Sequence, residues 1–102
     1  MPEQAVIVRF FYGRNDLGPL CELEDKLIAA IEAAEAGEFD GNEVAADGSD
    51  GSLYMYGADA DRLFEAIRPV LSSATCIHKA VATIRYGPPE DGVEERQVAI
   101  GF

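Results

Sequence analysis

Oxygen-bearing side chains crowd one stretch of the chain, GEFDGNEVAADGSDGSLYMYG at residues 37–57, and calcium is the first chemistry they suggest. The run DGSDG at 47–51 is the most ligand-like part. An EF-hand loop places oxygens at alternate positions and closes on a bidentate glutamate. No glutamate follows here before Leu53, and a tight turn rich in Asp, Ser and Gly accounts for the same residues. No metal ligand set is assigned. Acid/base chemistry is the second suggestion, because Asp40 and Glu43 flank Gly41 where a bulge could redirect side chains. Such chemistry needs surroundings that push two pKa values apart, usually with a partner such as histidine. His78, the only histidine, stands beside Lys79, and no serine or cysteine is tied to it by a nucleophile motif. A small enzyme would work with Asp40, Glu43, Tyr56 or His78. Neither GxxxxGK[ST] nor GxGxxG occurs, so no phosphate cradle of those classes and no cofactor is expected.

These groups need a scaffold, and 102 residues predict a single domain over residues 1–102 that buries roughly two-thirds of its unfolded surface. Eight Lys and Arg against nineteen Asp and Glu give a formal charge of -11. That balance repels nucleic acid and anionic membrane at long range, serves solubility, and leaves a basic protein as the charged partner it would suit. Cys21 and Cys76 stand in apolar surroundings outside any CxxC or Cys/His spacing. Both are expected as buried free thiols, in keeping with a reducing cytoplasm. The N-terminus MPEQAVIVRFFYG has no basic segment ahead of its apolar run, and that run is too short to span a bilayer. A cytoplasmic location is expected.

Residues 5–12, AVIVRFFY, are β-branched and aromatic and stop at Gly13, which predicts a central strand. After the loop GRNDLG, Leu20, Leu23, Leu27, Ile31 and Ala34 recur at helical steps. Pro19 suits the first turn of that helix, Asp16 or Gly18 can open it, and Gly37 can close it in a left-handed conformation. EFDGNEVAAD reads as a strand with an irregularity at Gly41, DGSDG as a turn and SLYMY as the returning strand. Leu63, Phe64, Ile67, Val70 and Leu71 share a face of a second helix, with Asp59 as its N-cap. Pro69 falls inside it, and should break the bond to Glu65 and bend the helix unless the last turns loosen there. CIHKAVATIRY and VEERQVAI read as strands joined by the turn GPPEDG.

The order β-α-β-β-α-β with one last strand predicts a ferredoxin-like α+β sandwich, an antiparallel sheet carrying two helices on one face. FFYGRND at 10–16 echoes LYMYGAD at 53–59. With the first and third strands expected side by side and parallel, Tyr12 and Tyr56 reach one edge of the sheet, and Tyr86 the opposite edge. Alternation puts Arg9 with Phe11, Tyr54 with Tyr56, and Thr83 with Arg85 on shared faces. If the registers align, the open side of the sheet carries an aromatic patch with arginines stacked among it. RNA-binding domains of this topology surround such a patch with Lys and Arg, whereas acids surround it here. A second copy of the chain could cover it, Tyr and Arg being favoured at interfaces. Alternatively Tyr54 and Tyr56 point to the helices, with Leu53 and Met55 outward.

GEFDGNE at 37–43, DGSDGSLYMYG at 47–57, DADRLF at 59–64 and RYGPPEDGVEER at 85–96 resemble a family of small uncharacterised bacterial proteins with no assigned activity. That resemblance spans nearly the whole chain and implies a compact domain with no catalytic residues to carry over. Glu38-Phe39-Asp40-Gly41 also resembles, in a different turn context, the acidic-aromatic-Asp-Gly turn of acidic regulators of bacterial ribonuclease E. The expected function is a non-enzymatic binding or regulatory module, homodimeric through the open sheet face, with Arg9, Phe11, Tyr54, Tyr56, Arg85, Asp40 and Glu43 as binding or interface residues. An acidic inhibitor of the immunity-protein kind, neutralising a basic enzyme, is the alternative.

Overall fold

The computed structural model describes residues 3–13, 16–88 and 91–100. Parts of the expected first loop (14–15), of the last turn (89–90) and of the N-terminus (1–2) lie outside the described residues. The elements are β1 (Gln4–Phe11), α1 (Gly18–Ala34), β2 (Glu38–Val44), β3 (Asp50–Gly57), α2 (Ala60–Ser73), β4 (His78–Arg85) and β5 (Glu95–Ala99). They form a five-stranded sheet in the order β2-β3-β1-β4-β5, antiparallel at every pairing. This is the ferredoxin-like α+β sandwich with an added C-terminal strand.

The expected parallel pairing of β1 with β3 is wrong. A helical crossover makes β2 parallel to β1, and the hairpin then reverses β3, so β3 must run against β1. Gln4 lies opposite Gly57, and Phe11 opposite Asp50. Tyr56, paired with Ala5, therefore sits at the end of the sheet away from Tyr12, which follows Phe11. Tyr86, following Arg85 opposite Ala5, shares the Tyr56 end rather than opposing it.

Period-two burial decides which strand residues meet the helices. Val6, Val8, Phe10, Leu53, Met55, Ala80, Ala82 and Ile84 enter one cluster with Leu20, Leu23, Leu27 and Ile31 of α1 and Leu63, Phe64, Ile67 and Leu71 of α2. Each fully buried Val, Leu, Ile or Phe contributes about 1.5–3 kcal/mol. Cys76 belongs to this cluster, but Cys21 is exposed. It follows Leu20 by one position, off the Leu20-Leu23-Leu27-Ile31 stripe, so the expectation that both thiols are buried fails for it.

At the start of α1 the N-cap position is Leu17, and the Asp16 carboxylate accepts the Gly18 N–H at 2.9 Å. The left-handed residue closing α1 is Glu35 (φ 50°, ψ 43°), not Gly37. A non-glycine there costs about 1–2 kcal/mol, offset in part by bonds from the Glu35 and Ala36 amides to the Glu32 and Ile31 carbonyls, both 3.1 Å. Asp59 caps α2 as expected, accepting from the Arg62 amide at 3.2 Å. Past Pro69 the helix continues to Ser73, whose hydroxyl donates to the Pro69 carbonyl at 2.8 Å. Glu65 and Pro69 are both on the exposed side, where a lost backbone bond faces solvent. The longest helix has 17 residues, and no helix of the described residues is long and apolar enough to cross a membrane.

In the β2–β3 hairpin the register shifts between Phe39 and Gly41, leaving Asp40 as the extra residue of a bulge. The turn falls at 45–49, and Asp50 and Gly51 of the DGSDG run, expected within it, already belong to β3. The Ala45 amide donates to the Asp50 carbonyl (2.9 Å), the Gly48 amide to the Ala45 carbonyl (2.8 Å), and the Ser49 amide to the Asp47 carboxylate (2.9 Å). The hydrogen bonds from Ser49 hold the Asp47 carboxyl below its ordinary value.

Candidate functional site

Both helices cover one side of the sheet, and the strand registers map the other side row by row. Leu53 and Met55 are fully buried among the helices, so Tyr54 and Tyr56, one position out of phase, lie on the open face. Across the five strands, Glu38, Tyr56, Ala5, Arg85 and Glu95 form one row. The next holds Gly41, Tyr54, Ile7, Thr83 and Gln97, and the third Glu43, Ser52, Arg9, Val81 and Ala99. At the far end Asp50, Phe11 and His78 stand side by side, after a bulge between Arg9 and Phe11. Lys79 takes a left-handed conformation there (φ 51°).

Arg9, Phe11, Tyr54, Tyr56 and Arg85 therefore share one surface, the first of the two arrangements that their alternation left open. Phe11 is 55% exposed, while Ile7, Tyr54, Tyr56, Val81, Thr83 and Arg85 are half-buried by their neighbours. Ile7 and Val81, which fill the middle of the patch, were not singled out from the sequence, although alternation from Arg9 reaches Ile7 and alternation from Thr83 reaches Val81. The expected stacking of arginines on these aromatics is not found among the described residues. The Arg85 guanidinium instead donates to the Gly87 carbonyl at 2.8 Å, and the ring under an arginine is Phe64 on α2, 5.6 Å from Arg68.

Arg9, Glu43, Asp50 and Ser52 line a cleft of 290 Å³ toward the hairpin end of this face. The carboxylate pair is divided by the bulge: Glu43 stands opposite Ser52 on the open face, and Asp40 is left at the sheet edge without a partner residue in β3. Tyr56 and His78 are also separated. Their partners on β1, Ala5 and Phe11, lie six positions apart, about 20 Å along the strand. The structure thus does not bring Asp40, Glu43, Tyr56 and His78 together, and no group of three or more metal-ligating side chains occurs among the described residues.

At the Tyr56 end, Tyr86 donates its hydroxyl to the Asp61 carboxylate at 2.6 Å, and Arg96 of β5 approaches the same oxygen at 3.5 Å. The bond to Asp61 raises the Tyr86 pKa above its ordinary 10.0, because the phenolate would face a carboxylate. A raised folded-state pKa means the contact is intact below the unfolded value and is lost as pH climbs through the folded one. Carbon-13 NMR of the tyrosine rings should show Tyr86 titrating above pH 10.0, and Asp61→Asn should lower that midpoint. An unchanged midpoint in Asp61→Asn would count against the bond.

Neither a family model nor a curated protein matches the chain. Among solved structures it is similar to Rv0793 from Mycobacterium tuberculosis, with a TM-score of 0.58 over 88% of this chain and 98% of that one. At 21% identity the likeness bears on the fold alone.

Proposed function

We propose that the protein is a non-enzymatic binding module that pairs with a second copy through the open face of its sheet. The observation carrying this reading is the group of Ile7, Tyr54, Tyr56 and Val81, with Phe11 beyond Arg9, on the face of the sheet that neither helix covers. Contiguous apolar surface of this kind marks interaction sites.

Over all five strands the open face carries Arg9 and Arg85 against Glu38, Glu43, Asp50 and Glu95. The two arginines offset part of the self-repulsion expected of a chain carrying -11. Size adds a condition. A five-stranded sheet presents a face roughly 24 Å on a side, about 600 Å² in projection, so a standard interface of about 800 Å² per partner requires nearly the whole of it.

Light scattering across a concentration series should report a dimer that tightens as salt rises, since screening relieves self-repulsion. Ile7→Asp, at the middle of the patch, should weaken it by at least about 30-fold, equivalent to about 2 kcal/mol, with the thermal melt of the dilute protein followed in parallel. A wild-type monomer at high concentration, or an Ile7→Asp dimer as tight as wild type, would refute the pairing.

A further inference from the structure

Away from the open face, α1 and the edge strand β2 enclose a recess of 220 Å³ lined by Ile28, Ile31, Glu32, Gly37, Glu38 and Phe39. Ile31 is 1% exposed, Phe39 is half-buried, and Ile28 is 37% exposed, one of three large apolar side chains open to solvent among the described residues. We infer that this recess holds the single apolar anchor side chain of a lysine- and arginine-rich protein segment, whose charges meet Glu32, Glu35, Glu38 and Asp40 around it.

Size decides against a metabolite. Small-molecule pockets run from about 300 to 1,000 Å³, and this recess falls below them, at the scale of one Leu or Phe side chain. Charge decides the flanks of the anchor. Glu32 and Glu38 line the recess, and Glu35 and Asp40 are exposed close by in the chain. None of the four is ion-paired among the described residues, where the one salt bridge, Asp61 with Arg96, joins α2 to β5 at the opposite edge of the sheet. A second copy docking here would set carboxylates on carboxylates, which excludes it on a chain of charge -11. A basic segment gains from both features: the anchor loses water against Ile28, Ile31 and Phe39, and the flanking cations are steered by the acidic rim. Its apolar lining, Ile28, Ile31 and Phe39, lies on the helix side of the sheet, so among the lining residues only Glu38 is shared with the open-face row.

The test is titration of nitrogen-15-labelled protein with two pentapeptides, four lysines around a central leucine and the same with a central serine. The leucine peptide should shift the amides of Ile28 and Phe39 and bind about tenfold more tightly than the serine peptide, the increment of one buried aliphatic side chain. Ile28→Gln, a change at an exposed helix position, should reduce the leucine peptide to the level of the serine peptide. Glu32→Gln with Glu38→Gln should weaken both peptides together, as should added salt. Equal binding of the two peptides, shifts confined to other surfaces, or no binding of either would overturn the inference.

Discussion

Gly37→Ala is expected to destabilise the fold by about 2–6 kcal/mol, from about 1–3 kcal/mol of backbone strain and a similar amount of overpacking. Gly37 holds φ at +149°, and a methyl group there would lie 2.0 Å from the Tyr56 carbonyl oxygen and 3.0 Å from the Gly57 Cα. Both obstacles are main chain, so no side chain can swing aside. The approach is mutual, since a Cβ on Gly57 would meet the Ala36 carbonyl oxygen at 2.3 Å. Backbone is here packed on backbone where the chain leaves α1 and crosses the end of β3. Gly92→Ala supplies the control: its φ is +84° with nothing within 4 Å of the added carbon, so only conformational strain of about 1–2 kcal/mol applies. Urea melts of the two variants separate the terms, and a Gly37→Ala loss no larger than that of Gly92→Ala would disprove the contact.

Phe64→Ala is expected to remove about 3–5 kcal/mol, a large share of the roughly 5–15 kcal/mol that holds such a domain together. Among the described residues Phe64 is the largest fully buried side chain, 1% exposed, and its ring also carries the Arg68 guanidinium at 5.6 Å. Truncation leaves a cavity between α2 and the sheet that rigid strands cannot close, and the melting temperature should fall on the order of 20 °C. Phe11→Ala in dilute solution should stay within about 0.5 kcal/mol of wild type, because Phe11 is 55% exposed. Similar losses for the two phenylalanines would contradict the assignment of faces.

Much of this architecture was legible because burial follows simple periods. Leu20, Leu23, Leu27 and Ile31 announced α1, Asp59 announced the start of α2, and Gly41 the bulge. Legibility failed where one pattern admits two outcomes. Leu53-Tyr54-Met55-Tyr56 is apolar on both phases, so alternation alone could not say which pair enters the core. The answer came from the partner strand, where Leu53 lies opposite Val8 and Met55 opposite Val6. Glu35 gave no sign of its left-handed conformation, and Gly37, two residues on, drew that expectation to itself. The direction of β3 could have been read from crossover and hairpin topology, and Cys21 from its place beside the α1 stripe. The recess could not, because Ile28 and Phe39 become neighbours only when α1 settles beside β2.

The unpaired Asp40 has a consequence for the company the chain keeps. A sheet edge with a straight row of free amides and carbonyls is a template on which further copies can add without limit, and a kink carrying a negative charge spoils that template. β2 has the kink at Asp40 and carries exposed Glu38 and Glu43 on either side of it. A further strand laid along this margin would have to pair across a kink and against three carboxylates, Glu38, Asp40 and Glu43.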